Sequence, residues 1–139
     1  MRKKFHESAE DYLEAILMLS EELPVVRSID IANHLGFSKP SVSIAVNKLF
    51  DEKYIDIGEH SYITLTEKGM ALATRVYDRH KTLTKCLESL GVDPVIAEED
   101  ACKIEHVISE ESFQAVKNYF VDNFPEEMEK AAATLYHTK

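Results

Sequence analysis

A chain of 139 residues, 45% of them apolar and 29% charged, is long enough for a real core and too apolar to be disordered. Two cysteines exclude a disulfide framework, and no apolar run is long enough to cross a bilayer. The net charge of −9 argues against a simple basic nucleic-acid binder, yet the acid is weighted toward the second half. Residues 1–75 carry 9 Lys/Arg against 12 Asp/Glu, and residues 76–139 carry 7 against 13. DNA stays compatible with such a chain if its acids lie away from the contact face or are neutralised by bound cations. The opening MRKKFHESAEDY lacks the hydrophobic stretch of a signal peptide, so the expected location is the cytoplasm.

In chain order, SAEDYLEAILMLSEE predicts a first helix capped by Ser8, with Asp11 three residues on and a broad apolar face from Tyr12 to Leu19. RSIDIANHLGF predicts a short helix over 28–35, capped by Ser28, with Ile29, Ile31, Ala32 and Leu35 inward and Gly36 as its left-handed end. After the turn FSKP, a helix over 39–53 follows, with Ser38 as cap and Pro40 in its first turn. Val42, Ala45, Val46, Leu49 and Phe50 recur at helical spacing along its inner face. YIDIG and SYITLT, joined through Gly58-Glu59-His60, read as a hairpin. Thr66 then caps a long helix running to Gly91. Asp93-Pro94 starts VIAEEDACKIEHVI, Ser109 starts EESFQAVKNYFVDNF, and Pro125 starts a last helix, EEMEKAAATLYH. The expected fold is mainly α: a winged helix-turn-helix domain over 1–73 and an α-helical domain over 74–139.

Helix, turn, helix and hairpin in that order are the layout of a winged-helix domain. With the apolar face of the second helix inward, the other face presents Ser38, Lys39, Pro40, Ser41, Ser43, Ile44, Asn47 and Lys48. Hydroxyls near the helix start suit phosphates and base edges, Asn47 can donate and accept, and Lys48 can neutralise a phosphate. Ile44 either packs on another element or meets a thymine methyl. The expected partner is double-stranded DNA, the alternative for such a layout being a winged helix used for protein contacts.

The stretch DACKIEHVISEES places Cys102, Glu105 and His106 three and four residues apart, on one face of a helix. All three types bind a transition metal once deprotonated. The plain alternative is a wet face carrying Glu105 and His106 beside a small buried Cys102. Glu98 lies one turn before Cys102. Asp11 and Glu14 share a face of the first helix, although Asp11 also suits a capping box. His80, between Arg79 and Lys81, is a ligand or an edge residue. Facing helices build metal sites from such donors.

SAEDYLEAI, SKPSVSIAV, RHKTL and DACKIEHVIS together resemble the diphtheria-toxin-repressor family of metal-dependent transcriptional regulators, from the first helix to the end of the dimerisation domain. The resemblance implies a metal site built from Asp11, Cys102, Glu105 and His106, and a second held by Glu14 and His80. Asp11 and Glu14 follow the manganese-responsive pattern and Cys102 the iron-responsive one. The ancillary iron-branch positions here are Thr84 and Glu98, where the family has glutamate and histidine, leaving Glu98 as an oxygen donor at most. The resemblance is to the shorter, two-domain members, so no SH3-like third domain is expected. The implied cofactor is Mn2+ or Fe2+, with Co2+, Ni2+ or Zn2+ able to bind in vitro. The implied assembly is a homodimer on a palindromic operator, without a membrane partner, repressing metal-uptake genes when metal is in excess. Rival readings are a winged-helix repressor responding to redox state at Cys102 or to a small organic ligand. A cysteine-dependent enzyme is the remotest, because Cys102 and His106 on one helix bring no oxyanion donors or cleft.

Overall fold

The computed structural model describes residues 2–129, with side chains from residue 9 onward. By its internal contacts the chain divides into two compact units, residues 1–74 and 75–139.

The first unit opens with α1 (Arg2–Glu22), followed by α2 (Ser28–Leu35), α3 (Lys39–Asp51), β1 (Ile55–Ile57) and β2 (Ile63–Leu65). The start of α1 corrects the expected cap: Ser8 lies inside the helix, which begins six residues earlier. No glycine or proline stands between Arg2 and Ser8 to stop it, and Arg, Lys and Glu are good helix formers. The capping-box role for Asp11 falls with that correction. In α2 the cap is Arg27, one residue before Ser28, and its backbone N–H donates to the Asp30 carboxylate at 2.9 Å. Gly36 closes α2 at φ 75°, a left-handed value that a side chain would strain. Ser38 caps α3 as expected, its hydroxyl accepting from Ser41 N–H.

The core of this unit draws Leu13 and Ile16 from α1, Ile31 from α2, Val42 and Leu49 from α3, and Ile55 from β1, all 2% exposed or less. Ile29 and Phe50, expected inward, are instead 39% and 45% exposed. Each sits next to the apolar stripe, and a 100° step per residue turns it to the rim. The strands pair antiparallel in the register Ile55–Leu65, Asp56–Thr64, Ile57–Ile63, and a bridge from Val26 to Ile63 adds a third edge. Between the strands, His60 and Ser61 take positive φ at the tip of this wing. Arg27 steadies the wing, lying over the Tyr62 ring and donating to its hydroxyl at 3.2 Å.

After β2, α4 (Glu67–Ser89) starts under the Thr66 hydroxyl, which accepts from Gly69 N–H at 3.1 Å. Gly69 is required there by space: a Cβ would come within 1.9 Å of the Tyr54 carbonyl oxygen. The second unit holds the rest of α4 with α5 (Pro94–Ile104) and α6 (Glu110–Asn123). Asp93 caps α5 with Pro94 in its first turn, and Ser109 caps α6, both as the sequence predicts. Leu83, Ala101 and Phe113 form one buried cluster across α4, α5 and α6, with Ile104 and Ile108 against it. Cys86, Phe120 and Met128 form another, flanked by Val116 and Phe124. Residues 125–129 are helical. The remainder of the last expected helix lies outside the described residues.

Candidate functional site

The eight residues predicted to read DNA stand together along one side of α3 and its cap. Ser38, Lys39, Pro40, Ser41, Ser43, Ile44, Asn47 and Lys48 are all exposed, while Val42, Val46 and Leu49 on the other side are buried. Ile44 is 71% exposed. A bare isoleucine flanked by hydroxyls, an amide and lysines is a surface that offers both phosphate donors and an apolar contact.

On α1, Asp11 is half-buried and Glu14 is buried. Burial, then the Asp11 charge, raises the Tyr12 hydroxyl above its ordinary pKa. In the second unit, α4 contributes His80, and α5 with the turn after it contributes Glu98, Cys102, Glu105 and His106. The helix expected to run to residue 108 stops at Ile104, with Glu105 as its C-cap and His106 in the following turn. Glu105 still has helical dihedrals and donates its N–H to the Ala101 carbonyl at 2.9 Å, so it stays one turn along from Cys102, while His106 lies in the turn.

Glu105 is the centre of the cluster. Its side chain is fully buried, His80 Nδ1 lies 2.9 Å from Oε1, and His106 Nε2 lies 3.4 Å from Oε2. With Nδ1 protonated, His80 donates to Glu105 and turns Nε2 toward exposed Glu98, whose carboxylate is 3.6 Å away. Burying an ionised carboxylate is costly without partners, so two imidazoles beside Glu105 mark a place prepared for charge. The ligand atoms of His80, Cys102 and Glu105 lie within 4.8 Å of one another. Two ligands opposite each other on one ion, with bonds of about 2.3 Å, stand about 4.6 Å apart, so these donors are within coordination reach. Nitrogen, thiolate and carboxylate form a donor set that suits a divalent first-row metal, and Cys102 is the exposed member of the three.

Sequence reading passed over one neighbour of this cluster. Arg79, only 7% exposed, donates from one guanidinium nitrogen to the backbone carbonyls of Glu105 (3.1 Å) and Ile108 (2.8 Å). The other terminal nitrogen reaches the Glu110 carboxylate at 2.8 Å. The signal was available in the spacing: Val76, Arg79, Leu83 and Cys86 follow one stripe of α4, and all four are buried. A charge on an apolar stripe needs a reason.

Residues 4–61 match the family described as iron dependent repressor, N-terminal DNA binding domain, and residues 66–135 match its metal binding and dimerisation domain. An uncharacterized HTH-type transcriptional regulator of Methanocaldococcus jannaschii is 36% identical over 124 residues, 88% of this chain and 98% of that protein. The HTH-type transcriptional regulator MntR of Listeria welshimeri is 34% identical over 128 residues, 91% of this chain and 90% of the relative. Among solved structures, the manganese regulator SloR superposes with a TM-score of 0.73 at 29% identity over 81% of this chain and 53% of the other. The IdeR structure from T. acidophilum gives 0.72 at 28% identity, covering 80% of this chain and 53% of that one. The chain thus spans about half the length of these solved relatives. Both halves match domain by domain, and the chain belongs to the iron-dependent repressor family of metal-dependent transcriptional regulators, the same diphtheria-toxin-repressor family its motifs resemble.

Proposed function

We propose that the protein represses transcription by binding a palindromic operator as a homodimer when Mn2+ or Fe2+ is captured, and that it works in the cytoplasm on metal-homeostasis genes. The observation that supports this most is the convergence of His80, Cys102 and Glu105 within 4.8 Å around a buried carboxylate. Asp11, Cys102, Glu105 and His106 are the proposed ligands of one site, and Glu14 with His80 those of a second, with Glu98 as an optional oxygen donor beside His80. The choice of metal follows from the donors. Asp11, Glu14, Glu105 and the imidazoles accept Mn2+, while the Cys102 thiolate moves preference toward Fe2+ and admits Co2+, Ni2+ or Zn2+ in vitro.

When bound, the cation would supply positive charge to neutralise the carboxylates of Asp11, Glu14 and Glu105. The protein's own residues do the rest. Glu105 is held ready by His80, which fixes its rotamer before any ligand arrives. Ser38, Ser41 and Ser43 offer hydroxyls to phosphates, Lys39 and Lys48 offer charge, and Asn47 and Ile44 address base edges. A ligand that favours the DNA-competent arrangement raises operator affinity without touching DNA.

The test is selection of duplexes from a random pool by the purified protein. With Mn2+ present, an inverted repeat of two half-sites should be enriched, and with chelator none should be. Equal enrichment under both conditions would contradict the proposal.

A further inference from the structure

Adjacent residues of α4 grip Glu105 at both of its ends. His80 meets the carboxylate at 2.9 Å, and Arg79, one residue earlier, meets the backbone carbonyl at 3.1 Å. The same Arg79 nitrogen also holds the Ile108 carbonyl at 2.8 Å, so it spans the whole turn that contains Glu105 and His106. This turn is where α5 ends, and a helix end leaves carbonyl oxygens without intrahelical donors and carries partial negative charge. A buried cation suits that place. Arg79 is itself pinned: Glu110, at the start of α6, accepts from its second nitrogen at 2.8 Å, and the Phe113 ring lies 5.2 Å from its guanidinium carbon. The Arg79 hydrogen bond, joined by that of Gln114, holds the Glu110 carboxyl below its ordinary pKa, so the carboxylate keeps its charge.

We infer that Arg79 is a positioning residue for the metal centre: it fixes the backbone of the turn after α5 so that Glu105 and His106 present their donors in a set geometry. The inference rests on the metal-site reading above. It differs from a merely structural role in what it controls. A helix-end clamp that only stabilised the fold would shift unfolding and leave the affinity of the folded protein unchanged. A clamp on the ligand backbone changes affinity and the geometry of the bound ion as well. Planarity matters here, because the two terminal nitrogens of one guanidinium serve two carbonyls and a carboxylate from fixed, separated positions that a single ammonium does not provide.

The experiment is an anaerobic titration of the full chain with Co2+, followed by the absorption of cobalt bound to thiolate. Metal-free samples are melted in parallel, and titrations run where each variant is fully folded. Wild type is compared with Arg79→Lys, Arg79→Met, Glu110→Gln and Glu105→Gln. Loss of an outer partner of a ligand weakens binding roughly 10–100-fold. Arg79→Met should fall in that range with an altered thiolate band, Arg79→Lys should lie between it and wild type, and Glu110→Gln should show a smaller loss. A folded Arg79 variant with wild-type affinity and spectrum overturns the inference. If neither Arg79 variant folds, Glu110→Gln decides: weakened binding supports the clamp and unchanged binding overturns it. Glu105→Gln separates the two levels. Wild-type affinity in that variant defeats the metal-site reading and this inference with it, whereas lost binding there beside intact Arg79 variants defeats the inference alone.

Discussion

Cys86 and Cys102 carry the same thiol in opposite surroundings. Cys86 is buried among Phe120 and Met128, and burial pushes its pKa up to about 11. Cys102 is exposed beside the imidazole of His80 and the carboxylate of Glu105. Only the thiolate is nucleophilic, so at pH 8 roughly one Cys86 in a thousand is in its reactive form, rising tenfold per pH unit. Limited iodoacetamide at pH 8, read by mass spectrometry, should label Cys102 and spare Cys86 in the folded protein, and saturating Mn2+ should slow labelling of Cys102. Comparable labelling of both would contradict this placement. The residue scale was also where the sequence was most informative about donors. Cys102 and Glu105 offer donor types at helical spacing, His80 was pointed to by the resemblance, and the ligand atoms of the three converge. The place of Arg79 on a buried stripe was legible, but its role was not, because it meets backbone carbonyls and a carbonyl leaves no mark in a sequence.

Elements were legible in kind and less so in extent. Caps with a specific chemistry were found at Ser38, Thr66, Asp93 and Ser109, because a hydroxyl or carboxylate before a helix accepts N–H groups that have no other partner. The same hydroxyl signal misled at Ser8 and Ser28, which lie within α1 and α2, and ends without any signal were missed. The turn after Ile104 follows no glycine or proline, and no glycine or proline stands among residues 2–7 to mark where α1 starts. Gly69 was unremarked because a glycine within a helix usually means only lower propensity. Here it lets α4 approach Tyr54, whose carbonyl is already held by Thr66 N–H at 3.1 Å and has little room to yield. Gly69→Ala should therefore destabilise the protein by about 2 kcal/mol, the cost typical of overpacking, in place of the slight gain alanine brings to an open helix. Urea unfolding measures this, and a neutral or stabilising result would contradict the close approach.

For the whole molecule, an acidic chain that binds DNA is at first a contradiction, and the distribution of function resolves it. The reading face of α3 offers lysines and hydroxyls, while the carboxylates gathered by Asp11, Glu14, Glu98 and Glu105 are proposed to meet cations. Coupling follows from the way free energies link two ligands: if metal strengthens DNA binding, DNA strengthens metal binding by the same factor. Resemblance supplied the identity of the two domains, which periodicity alone would have left as a winged helix followed by a helical bundle. The most direct measurement is the affinity of one selected duplex for wild type and Glu105→Gln, each with saturating Mn2+ and with chelator. The account predicts that metal tightens wild-type binding by about 1–3 kcal/mol, in the usual range of such couplings, and leaves Glu105→Gln at the weak, chelated value in both conditions. Equal affinity in all four cases would contradict it.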